Sequence, residues 1–313
     1  MGKIIVICGP TGTGKTFLAL NLCKAFNGEI ISADSRQVYK YMDIGTGKLP
    51  LCKTPLEIEK QEGVWKVLGI PIYMYDVVSP AKTYSVYDYF KKASNELASI
   101  QRRQKIPFIV GGTGFYIDIL TGKRGTANVP PNIRLRSELE GKSLEELQSI
   151  LKTLDRQKYN AIDNKNRIRI IRAIEILKSD RGTSKFVSSS GQLNTLSIGL
   201  SAPRNFLYEA ADSWVEKILE KGLILETRNL LDLGFRETIP MKSLIYSSTV
   251  DFLEQKINLE EMKQKIKFDI HGYIRRQLTW FNRDPEIKWF NIADKSFDIE
   301  VLKTVQLFLD GKQ

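Results

Sequence analysis

Over the first 110 residues the apolar positions fall into short unbroken runs separated by longer stretches with helical spacing. Ile4–Cys8 (IIVIC) is five apolar residues in succession, the pattern of a strand buried on both faces of a parallel sheet. Residues 17–26 (FLALNLCKAF) read as a helix, Ile30–Ser32 as a second short strand and residues 72–78 (IYMYDVV) as another. Residues 84–104 carry a helical pattern. Pro107–Val110 returns to strand and is punctuated by Gly111-Gly112. Strands alternating with helices predict a doubly wound α/β domain with right-handed crossovers.

The pattern changes near residue 122. Strand signals stop, and residues 134–140, 144–154 and 167–177 predict short helices joined by polar turns. Thr195–Leu200 predicts a strand that returns the chain to the sheet. Residues 207–233, 243–256 and 259–281 then predict helices. The expected organisation is an α/β core of residues 1–121 and 194–313, interrupted by a helical insertion over 122–193.

Charge sharpens this division. The 313 residues carry 47 Lys+Arg against 36 Asp+Glu, a net +11. Between Lys123 and Lys185 there are 15 Lys+Arg and 8 Asp+Glu, so +7 of the total falls in the insertion. A polyanionic partner for that segment is one explanation; a solvated charged helix face is the ordinary one. A hydrophobic content of 42% is ample for a core. The longest apolar runs are strand-sized, so no membrane span is expected, and the first residues lead straight into a strand, leaving no room for a signal peptide. A cytoplasmic location is the expectation.

Two residue counts narrow the chemistry. The single histidine, His271, excludes a multi-His metal site and argues against a Ser-His-Asp triad, so base work falls to a carboxylate, Lys or Tyr. The cysteines Cys8, Cys23 and Cys52 are too few for a zinc ribbon and odd in number for a disulfide framework. They are expected as small buried hydrophobes in a reducing compartment.

Gly9-Pro10-Thr11-Gly12-Thr13-Gly14-Lys15-Thr16 fits the phosphate-loop pattern G-x-x-x-x-G-K-S/T and sits between a buried strand and a helix, as that motif requires. Backbone N–H groups of such a loop converge on one anion, Lys15 adds a point charge, and Thr16 is the candidate Mg²⁺ ligand. A Gly-rich turn without a ligand is the plain alternative. The pattern predicts a bound di- or triphosphate, but not a phosphoryl transfer, because a loop that steadies a β-phosphate can equally hold a diphosphate leaving group. After the second strand comes Asp34-Ser35-Arg36-Gln37, near the phosphate loop if ligands bind beyond the carboxyl ends of parallel strands. Asp34 is the acid/base candidate; a helix N-cap or an Asx-turn is the competing role. Gly111-Gly112-Thr113 forms a third loop, with Thr113 either at the site or a simple cap.

Together these segments resemble the tRNA dimethylallyltransferases, also called isopentenyl-diphosphate:tRNA transferases. The resemblance spans roughly residues 3–290 and follows the family's order of motifs: GPTGTGKT at 9–16, ISADSRQVYKYMDIGTGK at 31–48, YSVYDYF at 84–90, VGGTGFYI at 110–117, NRIRIIRAIEIL at 166–177 and IRRQLTWF at 274–281. It implies a phosphate-loop (P-loop) NTPase-like doubly wound parallel sheet with an inserted all-helical tRNA-binding domain. It also implies transfer of a dimethylallyl group from dimethylallyl diphosphate to N6 of adenosine 37 of tRNA, with Mg²⁺, by a monomer. Residues 9–16 would hold the diphosphate, with Lys15 and Thr113 assisting catalysis and Asp34 accepting the N6 proton. Asp34, Ser35, Arg36, Gln37 and Thr113 would contact tRNA, as would Arg134, Asn166, Arg167, Arg169 and Arg172 of the insertion. Arg275, Arg276 and Gln277 could contact phosphate or cap the core.

Two segments depart from the family. Members carry arginines in a pattern like L-x-x-R-I-x-x-R-V, one of them implied to help hold the diphosphate; here Ala210 and Trp214 stand at those places. Arg204 or a C-terminal arginine could substitute. The usual I-G-Y-K reads Leu244-Ile245-Tyr246-Ser247. Three other functions therefore stay open: an adenine-nucleotide prenyltransferase, a phosphate-loop kinase, and a degenerate tRNA-binding relative.

Overall fold

In the computed structural model, residues 2–51, 55–127, 129, 131–179 and 193–312 are described. The eight strands are β1 (Ile4–Cys8), β2 (Gly28–Ser32), β3 (Ile58–Gln61), β4 (Val64–Val67), β5 (Ile70–Tyr73), β6 (Ile106–Gly111), β7 (Thr195–Ser201) and β8 (Lys288–Asn291). The helices, in chain order, are α1 (Lys15–Phe26), α2 (Val86–Arg102), α3 (Gly114–Leu120), α4 (Ile133–Glu140), α5 (Leu144–Leu154), α6 (Arg156–Ala161), α7 (Arg167–Leu177), α8 (Arg204–Glu220), α9 (Leu223–Asp232), α10 (Leu244–Leu253), α11 (Leu259–Phe281) and α12 (Phe297–Asp310). The chain divides into two compact units, Met1–Arg124 with Ser189–Gln313, and Gly125–Ser188. None of these helices is long and apolar enough to cross a membrane.

The first unit is a mixed α/β structure around one sheet in the order β3-β4-β5-β2-β6-β1-β7-β8. From β5 to β8 neighbouring strands run parallel; β3, β4 and β5 form an antiparallel ribbon at one edge. β1 is central, with Ile5 opposite Phe108 on one side and Leu196 on the other. Its side chains alternate between two cores, which is why the run is apolar throughout. Ile5 and Ile7 pack with residues of α1 and α12; Ile4, Val6 and Cys8 pack with residues of α2, α3, α8 and α11. Cys8 and Cys23 are buried, as expected, and Cys52 lies outside the described residues.

Several expected elements differ in detail. The strand expected over 72–78 stops at Tyr73, because Met74 and Asp76 take positive φ angles of 74° and 53°, which a pleated strand does not accommodate. The turn sends Asp76 Oδ1 to the fully buried Lys48 (2.5 Å) and Asp76 Oδ2 to Trp65 Nε1 (2.7 Å). The helix expected over 207–233 is two helices, broken where Gly222 takes φ +102° and starts α9.

Among the described residues of the second unit, all four helices begin at a polar residue whose side chain accepts a first-turn N–H: Asn132, Ser143, Asp155 and Asn166. Leu139, Leu147, Leu151, Ile170 and Ile174 form its core. Glu175 is buried there and accepts from Arg136 (2.9 and 2.8 Å), from the Asn132 N–H (2.6 Å) and from Arg172. Burial works against its charge, but these bonds outweigh it and hold the carboxyl below its usual range. Its stabilisation is therefore present at neutral pH and lost as pH falls through the carboxylate range. Glu175→Gln is expected to destabilise this unit by about 2 kcal/mol, less than the cost of breaking a fully buried ion pair because both arginines are about one-third exposed. Hydrogen exchange of α4 and α7 measures it; unchanged protection would refute it.

Candidate active site

Because β1, β2 and β6 run parallel, their carboxyl ends open at one edge of the sheet and bring three loops together. A cavity of about 880 Å³ lies there, walled entirely by the first unit. In the loop after β1, Gly9, Gly12 and Gly14 take φ of +136°, +82° and +75°, a backbone that only glycine enters without strain. Thr11, Gly12, Gly14, Lys15 and Thr16 face the cavity. Gly9, Pro10 and Thr13 do not: they form the back of the loop, where the Pro10 carbonyl accepts from Thr13 Oγ1 (2.9 Å) and from Lys15 Nζ (2.7 Å). Burial, offset in part by Asp34, lowers Lys15 to about 8.

Asp34 lines the cavity and also makes the competing local contact: its Oδ1 accepts the Arg36 N–H (2.8 Å), an Asx-turn. One carboxyl oxygen shapes the turn, and the side chain still borders the cavity. Burial raises its pKa, against the opposing pull of the Arg36 N–H and of Lys15. Ser35, Arg36 and Gln37 line the same wall. Gln37 is buried; its Oε1 accepts from Ser32 Oγ (2.7 Å) and its Nε2 donates to the carbonyls of Thr46 (3.2 Å) and Gly47 (3.1 Å). Thr113, expected as a catalytic side chain, is not in the cavity wall. Its Oγ1 accepts the Ser35 N–H (3.0 Å), so it braces the Asp34 turn from behind.

Helices distant in sequence complete the wall, among them α8 and α11, which carry the departing positions Ala210 and Trp214 and the Arg275-Arg276-Gln277 segment noted in the sequence. Gln277 of α11 accepts the Thr11 N–H (3.0 Å) and donates to the Gly112 carbonyl (3.0 Å), tying the first loop to the third. Arg276 lines the cavity, whereas Arg275 points to Tyr208 Oη (3.0 Å). Ala210 and Trp214 of α8 both lie in the wall, so the departure noted in the sequence falls within the site. Of the arginines considered as substitutes, Arg276 borders the cavity and Arg204 does not. Lys217, Lys242, Leu244, Ile245, Tyr246 and Tyr273 also border it. Among the described residues the wall thus holds five cations, Lys15, Arg36, Lys217, Lys242 and Arg276, and a single carboxylate, Asp34. His271 lies elsewhere, with Nε2 2.8 Å from Asp212 and its ring stacked on Tyr208.

The arginines of the second unit separate into two kinds. Arg167 donates to the carbonyls of Leu139 (3.3 Å), Glu140 (2.6 Å) and Lys142, closing the end of α4. Arg172 is held by Glu175 and by the Val129 carbonyl (2.8 Å), and Asn166 caps α7. These three have structural work within the unit. Arg134 is exposed without a partner among the described residues. Arg169 is 58% exposed and only loosely paired with Asp163 at 3.5 Å.

A cation-rich cavity beside a glycine-rich loop at the carboxyl ends of parallel strands is the setting of an α/β enzyme, and similarity to known proteins makes its class a transferase. Residues 37–284 match the IPP transferase family and residues 2–65 the isopentenyl transferase family. The chain is 39% identical to a tRNA dimethylallyltransferase of Carboxydothermus hydrogenoformans, with 95% of this chain and 94% of that protein covered. It superposes on the full-length tRNA isopentenylpyrophosphate transferase from Bacillus halodurans with a TM-score of 0.72 at 31% identity, covering 100% and 98% of the two chains. A eukaryotic dimethylallyltransferase acting on tRNA shares the fold, with a TM-score of 0.78 at 22% identity over 100% of this chain and 81% of that one. The chain belongs to the IPP transferase family.

Proposed function

We propose that this chain transfers a dimethylallyl group from dimethylallyl diphosphate to N6 of adenosine 37 of tRNA and releases diphosphate. The observation that supports this most is that Lys15 and Asp34 border the same cavity, beside the loop of Gly12, Gly14 and Thr16. An exocyclic adenine amine is a weak nucleophile, and C1 of an allylic diphosphate is electrophilic. The C1–O bond breaks, the N6–C1 bond forms, and the N6 proton passes to Asp34. Loop N–H groups and Lys15 steady the charge that collects on the leaving diphosphate. Reaching a base of the anticodon loop requires that it be flipped from its stack.

The phosphate-loop lineage of the fold belongs to the same reading, as does action as a monomer. Mg²⁺ fits the donor set: Thr16 offers a hard oxygen at the cavity, and no cluster of three or more acidic, His or Cys ligands exists among the described residues. That suits an ion held largely by diphosphate oxygens and water. When bound, Mg²⁺ would neutralise charge on the diphosphate. Of the arginines of the second unit expected at tRNA, Arg134 and Arg169 are the least engaged within the protein, whereas Arg167 and Arg172 also hold the unit's own structure.

Purified protein with dimethylallyl diphosphate, Mg²⁺ and tRNA is expected to give N6-dimethylallyladenosine at position 37, read by nucleoside mass spectrometry. tRNA affinity should fall steeply with salt as counterions are released. Equal transfer to free AMP would overturn the tRNA assignment. Salt-sensitive tRNA binding without product would favour a non-catalytic relative, the reading to which Ala210 and Trp214 point.

A further inference from the structure

Glu226 of α9 does not border the cavity, yet its carboxylate is the most heavily engaged acceptor near it. Oε2 accepts the N–H groups of Asp43 (2.8 Å) and Ile44 (2.7 Å). Oε1 accepts the Gly45 N–H (3.0 Å) and Tyr246 Oη–H (2.6 Å). A carboxylate is acceptor-only with about four lone-pair sites, so this one is saturated. Hydrogen bonds to a charged acceptor are roughly twice as strong as neutral ones, which makes this a firm clamp.

The clamped segment reaches the site. Gly45, Thr46 and Gly47 form part of the cavity wall, as does Tyr246. Gly45 is pressed so closely on the Tyr246 ring that an added Cβ would lie 2.6 Å from it. The carbonyls of Thr46 and Gly47 hold the Gln37 amide, and the Gln37 backbone N–H is among the groups that act on the Asp34 carboxylate. Hydrogen bonds therefore tie α9 to the 43–47 loop and that loop to Gln37, which lies three residues along the chain from the carboxylate of the cavity.

We propose that Glu226 is a positioning residue for the transfer: by holding the 43–47 loop it fixes, through Gln37, the orientation of Asp34 toward the reacting amine. This rests on Asp34 being the base. Misplacing a reacting group by about 1 Å costs about 10²-fold in rate, so a loosened loop should be visible in turnover.

Glu226→Gln tests it. The amide replaces one acceptor oxygen with a donor NH₂. Tyr246 can turn its hydroxyl to accept, but a backbone N–H cannot, so at least one loop N–H is left facing a donor. Expected are a drop in kcat of about tenfold or more, an unchanged KM for dimethylallyl diphosphate because the phosphate loop is untouched, and a displaced acidic limb of the kcat–pH profile. Tyr246→Phe removes one of the four bonds and should move kcat and the limb the same way by less. Wild-type kcat and acidic limb in Glu226→Gln, or a loss confined to melting temperature, overturn the proposal. If Glu226→Gln does not fold, unaltered kcat and limb in Tyr246→Phe overturn it. A wild-type chain that transfers nothing overturns the underlying reading as well; an active wild type with unaffected variants overturns the positioning role alone.

Discussion

Asp34→Asn is expected to lower the rate of the chemical step by about 10²-fold or more, the range for a lost general base. Asparagine is the informative substitution. Its amide oxygen can still accept the Arg36 N–H that closes the Asx-turn, so the loop keeps its shape while the proton acceptor is removed. Single-turnover transfer from dimethylallyl diphosphate to tRNA measures the step apart from binding, and tRNA affinity should be largely kept. Turnover near the wild-type value would remove Asp34 from the mechanism. The pH profile provides a second measurement on the same group. Burial raises Asp34, so the acidic limb of kcat/KM should lie above the ordinary aspartate range, with the rate falling as pH drops and the base is protonated. The alkaline limb should report Lys15, at about 8 in the free protein, as loss of its proton weakens the hold on the diphosphate. With the diphosphate bound, the added negative charge raises Lys15 again, so kcat should stay high further into the alkaline range than kcat/KM does.

Lys15→Ala should cost about 10²- to 10³-fold in kcat/KM for dimethylallyl diphosphate, the range for removing one preorganised donor to a developing oxyanion. The size follows from position. Lys15 begins α1, so on the proposed function its ammonium would add to the N–H groups of the loop and the helix N-terminus around a single anion. Four other cations border the cavity, but they stand on separate segments at Arg36, Lys217, Lys242 and Arg276. Lys15→Arg should not restore the rate, because a planar guanidinium is not the compact point charge that this turn accommodates. Steady-state kinetics with the donor varied decides it. A loss of less than about threefold would mean that the other cations carry the diphosphate, and that the loop has been overvalued.

Where local pattern dominates, the fold was legible. The run Ile4–Cys8 is β1 as expected, Leu259–Phe281 is α11 with the expected limits, and the three longer helices of the insertion fall within one residue of the expected bounds. What escaped was short or half-exposed. β3 and β4 have four residues each and β3 alternates too little to announce itself; α6 has six residues; β8 and α12 follow the last segment that carried a clear pattern. The basic insertion shows what charge alone leaves out. Arg167 and Arg172 also close the end of α4 and hold a buried carboxylate cluster, contacts that only packing discloses.

The site divides along the same line. The sequence by itself determined the segments that act over a few residues: the glycines of the phosphate loop with Lys15 and Thr16, and the Asp34 turn. Their geometry depends on positive φ angles and on contacts two to five positions away. The tertiary structure alone decided which side chains join them. Gln277 meets Thr11 across 266 residues, Glu226 meets Asp43 across 183, and Thr113 turns out to brace Ser35 and not to border the cavity. Such contacts carry no local signature, because hydrogen bonds and burial depend on which groups the packed sheet and helices bring within reach, and not on their separation along the chain.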